Sequence, residues 1–240
     1  MGGVAVELVH LGSLYHDDVM DEAEMRRNVP SVNAVWGNHT AILAGDFLLA
    51  RASEIAASLG TEIAALLART IGELCEGQIL ELQSTYKPSR TETSYEQSIA
   101  GKTASLLSTA CRIGGLTAGL DRRTVDQLTT FGHTYGMAFQ IVDDILDVIA
   151  TEDQLGKPAG NDLIEGVYTL PVLLALESDV REQLQELLGK ELSTEGRDRA
   201  LDLIRSTDAV EEAFARAQFW AQKAKLELES LPSSPATNAL

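Results

Sequence analysis

The chain has 240 residues, with 36 acidic against 19 basic side chains and a net charge of -17. That balance excludes a general nucleic-acid binder, which needs a basic stripe to meet phosphate, so any phosphate chemistry here has to be local and metal-assisted. With 45% hydrophobic residues and six prolines, the chain can bury a sizeable core of packed helices.

From Val4 the apolar positions Val4, Leu8, Leu11 and Tyr15 recur at helical spacing with no N-cap signal before them. The pattern opens in mid-helix, and upstream helices are expected to precede Met1. This first helix is expected to run on to Arg27, which sets Arg26 and Arg27 about one to two turns beyond Asp21. Residues Asn28 to Ser31 break it. A second helix is predicted over Asn38 to Leu59, ended by Gly60, turning Leu43, Phe47 and Leu48 toward the core. A third runs from Thr61 to about Gln83, with Ile63, Leu67, Ile71 and Leu74 on its inner face.

Pro88 and the polar residues from Lys87 to Ser94 form a connection. A short helix then reaches Ala100, and Gly101-Lys102-Thr103 interrupts it before an apolar segment resumes at Ala104. The longest helix is predicted from Asp121 to about Ala150. Thr151 to Tyr168 reads as a loop rich in glycine and polar residues, of a length that often serves binding. Helices over Thr169 to Glu177, Val180 to Leu188, Thr194 to Ser206 and Asp208 to Leu231 complete the chain. The tail from Pro232 is polar and expected to be disordered. No alternating strand pattern occurs, so residues 1–231 read as one all-α domain and 232–240 as a tail.

Cys75 and Cys111 lie in apolar helical patterns and read as buried reduced thiols, which points to a cytoplasmic setting. No apolar run reaches transmembrane length, and the first residues lack a signal-peptide pattern.

Asp17, Asp18 and Asp21 converge on one patch of the first helix, and Asp143, Asp144 and Asp147 repeat the spacing on the longest one. One D-D-x-x-D is a weak signal, but both copies end long apolar helices, where uncompensated carboxylates are costly. The ligand order does not fit a calcium loop, and no histidine or cysteine has zinc-ligand spacing nearby. Magnesium suits the pattern, since it takes hard oxygens and is commonly shared between carboxylates and substrate phosphates. Arg26, Arg27, and the glycine-flanked Lys102 and Lys157 supply the cations that a diphosphate would need. Gly12 and Ser13 lack bulk in the turn before Asp17. Either a space beside the carboxylates or close helix packing explains them.

The chain resembles the trans-isoprenyl diphosphate synthases, the polyprenyl synthetase family. The matching pieces are His16-Asp17-Asp18-Val19-Met20-Asp21 with Arg26-Arg27, Ala44-Gly45-Asp46, Gly101-Lys102-Thr103, Phe139-Gln140-Ile141-Val142-Asp143-Asp144-Ile145-Leu146-Asp147, and Gly156-Lys157-Pro158 with Gly160-Asn161-Asp162-Leu163. The resemblance implies an isoprenoid synthase-type helical bundle around a central cavity, normally a homodimer. It implies that Asp17, Asp18, Asp21, Asp143, Asp144 and Asp147 hold Mg2+. By the same likeness Arg26, Lys102, Thr103, Gln140 and Lys157 contact the allylic diphosphate, and Arg27 contacts isopentenyl diphosphate. Lys102, Thr103, Gln140 and Lys157 are the expected catalytic side chains.

Short-chain members of the family carry bulky aromatics at the positions of Gly12 and Ser13, so the small residues here predict a product longer than farnesyl. Release of that product at a membrane surface is a further expectation. The family's Gly-Gly-Lys-Arg-x-Arg-Pro segment and upstream histidine have no counterpart in this sequence. Two other readings follow: a non-catalytic partner subunit of a heteromeric synthase, and a class I terpene cyclase. The second aspartate cluster favours chain elongation over the cyclase.

Overall fold

In the computed structural model, residues 1–27, 29–150 and 159–240 are described. The first seven helices are α1 (Gly2–Met20), α2 (Val32–Trp36), α3 (Asn38–Leu59), α4 (Thr61–Ser84), α5 (Glu92–Ile99), α6 (Ser105–Thr117) and α7 (Arg122–Ile149). They are followed by α8 (Asn161–Glu165), α9 (Leu170–Ala175), α10 (Arg181–Leu187), α11 (Thr194–Arg205) and α12 (Ala209–Leu228). The architecture is an all-α bundle, as the periodicity predicts.

The apolar residues gather in two clusters. Ala5, Val9, Ala52, Ile63, Leu67 and Ile113 join α1, α3, α4 and α6. Tyr95, Met137, Ile141, Leu163, Tyr168 and Leu184 join α5 and α7 to the C-terminal helices.

Backbone proximity, more than side-chain bulk, sets how the first group packs. A Cβ on Gly12 would lie 3.1 Å from the Gly45 carbonyl oxygen, so α1 and α3 meet at a glycine pair. This contact settles the face of α3. Ala41, Gly45, Ala52 and Ala56 turn inward, while Leu43 and Phe47, expected in the core, are 67% and 64% exposed. Cys75, expected to be buried, is also exposed, on the outward side of α4 near Ile79 and Leu82.

Gly101-Lys102-Thr103 does not break the helix. Residues Ala100–Ala104 form a π-helical turn that carries α5 directly into α6, and such turns mark functional sites in many helices. The turn is fixed by contact with α4, since a Cβ on Gly101 would lie 2.7 Å from the Glu73 carbonyl oxygen.

Three expectations of irregular structure give way to local order. Met25–Arg26 pairs antiparallel with Val29–Pro30, a two-residue strand pair too short to leave an alternating pattern. Asn161–Glu165, expected as loop, is a helical turn bounded by Gly160 and Gly166, both with left-handed φ. In the tail, the Ser234 hydroxyl accepts from Thr237 N at 3.0 Å and starts a 3-10 turn over Thr237–Ala239. No helix among the described residues is long and apolar enough to cross a membrane.

Candidate active site

The first helix stops at Met20 instead of running to Arg27, because its end is capped by side chains. Asn33 Nδ2 donates to the carbonyls of Asp18 and Ala23 at 3.1 and 3.0 Å, and Ser31 Oγ donates to Ala23 at 2.6 Å. Glu22 then takes a left-handed φ of 49° and turns the chain back. Arg26 therefore does not continue the helix face beyond Asp21. It folds over Asp18, with Nε and Nη2 at 2.8 and 2.5 Å from Oδ1. Arg27 is exposed beyond it.

In the second cluster, Asp144 is 4% exposed and both its oxygens are taken. Tyr95 Oη donates to Oδ2 at 2.5 Å, and Gln140 Nε2 donates to Oδ1 at 2.9 Å. The Gln140 carbonyl oxygen in turn accepts from Thr103 Oγ1 at 2.7 Å. Asp147 caps α8, its two oxygens accepting from Asn161 N and Asp162 N at 3.3 and 3.2 Å. Asp18, Asp144 and Asp147, expected together with the metal ligands, are thus committed to protein partners. Among the described residues, the side chains of Asp17, Asp21 and Asp143 make no hydrogen bond or ion pair, although Lys102 and Arg26 act on the first two electrostatically. Each triad divides into buried anchors and available acids.

Lys102 and Glu81 join the two sides. Lys102 Nζ lies 2.6 Å from Glu81 Oε1. Burial pulls the lysine pKa down, but Glu81, Asp17 and Asp21 together outweigh it and raise the value. Burial raises Asp17 and Asp21, with Lys102 and Arg26 pulling them back. Glu81 acts on Asp17, on Asp21 and on Asp144. Carboxylates of Glu81, Asp17 and Asp21 therefore surround one cation, and Glu81 in turn acts on Asp144 of the second cluster. Among the described residues no three histidine, cysteine, aspartate or glutamate side chains could hold a metal ion by themselves. An ion here would complete its shell from water and from a bound anion, the habit of magnesium.

Gly12 belongs to helix packing, as its contact with Gly45 requires, whereas Ser13 is half-buried with its hydroxyl on the His10 carbonyl at 2.9 Å. Lys157, with Gly156 and Pro158, lies outside the described residues. Glu81, Tyr95 and Arg90 are absent from the sequence reading. The signal for Glu81 was present, since it falls fourteen residues, about four turns, after Leu67 on the inner stripe of α4.

Two sets of carboxylates linked through Glu81, with Lys102 beside one of them, give the all-α bundle one concentrated charged site. The chain belongs to the polyprenyl synthetase family, whose model matches residues 2–203. It is 42% identical to heptaprenyl diphosphate synthase component 2 of Geobacillus stearothermophilus, over 99% of this chain and 74% of that protein. It is 41% identical to nonaprenyl diphosphate synthase of Mycobacterium tuberculosis, over 100% of this chain and 72% of that one. The solved polyprenyl synthase from Caulobacter crescentus, complexed with calcium and isoprenyl diphosphate, superposes with a TM-score of 0.92 at 33% identity, covering 98% of this chain and 73% of that one.

Proposed function

We propose that this chain is a polyprenyl diphosphate synthase, a prenyltransferase that condenses an allylic diphosphate with isopentenyl diphosphate. One observation carries the reading: among the described residues, Asp17, Asp21 and Asp143 are the acids of the two clusters with no side-chain hydrogen bond, and Lys102 stands close to the first two.

One or two of those carboxylates would hold each Mg2+, with water and diphosphate oxygens completing its shell. Bound there, the ion supplies Lewis-acid stabilisation of the leaving diphosphate. Lys102 places a cation against the same oxygens, next in the chain to Thr103, whose proton is held by Gln140 Oε1. Arg26 lends its guanidinium from its seat on Asp18. The allylic carbon–oxygen bond breaks with its electron pair on the diphosphate. The isopentenyl double bond then attacks the allylic cation, and the proton lost from the adduct goes to the departing diphosphate. Phe139, Val142 and Leu146 stand exposed beside Asp143 and give this side an apolar wall against water.

The small Ser13 and the hepta- and nonaprenyl names of the relatives support a product longer than fifteen carbons. The exposed apolar faces of α3 and α4 support a homodimer. Purified chain, magnesium chloride, isopentenyl diphosphate and a farnesyl primer, followed by chromatography of the products, test the assignment. Magnesium-dependent extension past the primer supports it. No extension, alone or with any added subunit, overturns it. The printed name "component 2" on one relative favours a second reading, that of a subunit working only beside another. Extension only after a second subunit is added would select that reading.

A further inference from the structure

The connection between α4 and α5 borders a cleft that no step of the proposed reaction uses. Its volume is about 400 Å3, and it is lined by Ser84 at the end of α4, by Lys87, Ser89 and Arg90 in the connection, and by Thr91 and Ser94 at the start of α5. Among the described residues no aspartate or glutamate lines it. In a chain of net charge -17, two cations and four hydroxyls gathered without a carboxylate run against the overall composition.

Of the lining residues only Arg90 is buried, at 8% exposure. Its Nη1 donates to the Tyr168 carbonyl at 3.1 Å, and its guanidinium carbon lies 5.5 Å from the centre of the Tyr95 ring. These contacts fix the group in place. Nε and Nη2, the two donors of the guanidinium's other edge, are buried and have no hydrogen-bond partner. Unmet donors on a buried cation are costly, and buried polar groups normally find a partner. The neighbouring acids do not supply one. Burial lowers the Arg90 pKa and Glu81 opposes this more than any other acid, yet Glu81 gives Oε1 to Lys102 and makes no hydrogen bond to Arg90.

An edge carrying two parallel N–H groups matches two oxygens of one phosphate. The rest of the cleft suits the same ligand. Among the described residues the side chains of Lys87, Ser89 and Ser94 make no hydrogen bond or ion pair, so they can turn toward an anion. Thr91 and Ser94 bring the N-terminal end of α5, the positive end of its dipole, to the same place. Glu92, the acid of that turn, is drawn off by Arg216 at 2.8 Å. We propose that this cleft is a phosphate-binding site separate from the aspartate clusters, where Lys87 and Ser89 swing out to admit the anion and the Nε–Nη2 edge of Arg90 takes two of its oxygens. The site needs no metal, whereas the aspartate clusters meet an anion only through Mg2+.

The experiment is calorimetric titration of inorganic phosphate and of inorganic pyrophosphate into the chain in EDTA, with potassium chloride as background salt. Without a divalent ion the clustered acids repel both anions. Wild type is expected to bind at least one of them. Arg90→Lys keeps the charge but loses the two-pronged edge, and affinity should fall about tenfold or more. Lys87→Met, at an exposed position, should lower it about threefold. Lys102→Met should leave it unchanged. No binding in EDTA overturns the inference. Affinity that falls in Lys102→Met and holds in Arg90→Lys also overturns it, because the anion would then sit among the aspartates. Should Arg90→Lys not fold, Lys87→Met combined with Ser94→Ala carries the test, and unchanged affinity in that variant overturns the site. A chain that binds phosphate in EDTA but extends no primer would refute the synthase reading and leave this site standing, so the two fail separately.

Discussion

Lys102 donates to Glu81 at 2.6 Å while lying close enough to Asp17 and Asp21 to oppose the rise that burial imposes on the pKa of both. Glu81 comes from α4 and Lys102 from the π-helical turn, and the two backbones touch at Gly77 and Gly101. The cation is therefore aimed before any substrate arrives. Such preorganisation is what makes a charge effective on a leaving group.

Lys102→Met should lower kcat by about 100-fold or more, the usual size of losing one preorganised charge at a developing anion. Glu81→Gln should cost about tenfold, because the lysine remains but is no longer held. Steady-state rates at saturating magnesium check both, and equal losses would mean that Glu81 has a role beyond aiming Lys102.

The two small residues before Asp17 separate cleanly. A side chain on Gly12 meets the Gly45 carbonyl and Leu49, so Gly12→Val should destabilise the fold by about 1–3 kcal/mol, as overpacking does. Ser13 is half-buried and makes only a hydrogen bond within its own helix. Ser13→Phe should fold, and should shorten the product if the hydrocarbon runs beneath Asp17. Thermal melts of the first variant and product chromatography of the second give the two answers, and unchanged product lengths in Ser13→Phe reject the gate.

Helices were legible here because apolar spacing records them directly: α3 and α7 fall on their predicted spans to within a residue at each end. Which face of a helix turns inward was not. Leu43 and Phe47 look like core residues, yet the Gly12–Gly45 approach decides α3, and close backbone contact leaves no hydrophobic signal. The aspartates were legible as clusters, but their division was not. Asp18 is taken by an arginine eight residues on, Asp144 by a tyrosine forty-nine residues away, and Asp147 by the amides of α8. Those partners depend on chain reversals, and spacing within one helix cannot report them.

Asp144 gives the metal-free protein a pH dependence of definite sign. Burial pushes its pKa up to about 7, against the hydrogen bonds from Tyr95 and Gln140 and with help from Asp143. Between the ordinary carboxylate value of 3.8 and about 7, the fold keeps a proton that the unfolded chain has released. Stability from this group is therefore present at low pH and lost as pH rises through that window. Compared with Asp144→Asn, wild type should lose Tm, by several degrees, between about pH 5 and about pH 8. A Tm difference that does not change with pH would show that the carboxyl is ionised throughout.

The outward faces of α3 and α4 make the last prediction. Leu43 and Phe47 on α3, and Ile79 and Leu82 on α4, are all more than half exposed, with Cys75 on the same side of α4. An apolar surface of this kind on neighbouring helices marks an association site, and the proposed homodimer would close over it. Substituting residues that are already exposed costs the single chain little, typically within about 0.5 kcal/mol. Leu43→Glu with Phe47→Glu should therefore yield a folded monomer, because pairing the faces would bury four glutamates per dimer without partners. Light scattering after gel filtration reads the mass, and the Cys75 thiol gives an independent measure. In the dimer it should react slowly with a thiol reagent, and in the monomeric variant at the rate of an open thiol. A wild-type chain that runs as a monomer with a freely reactive Cys75 would leave these faces bare and refute the pairing.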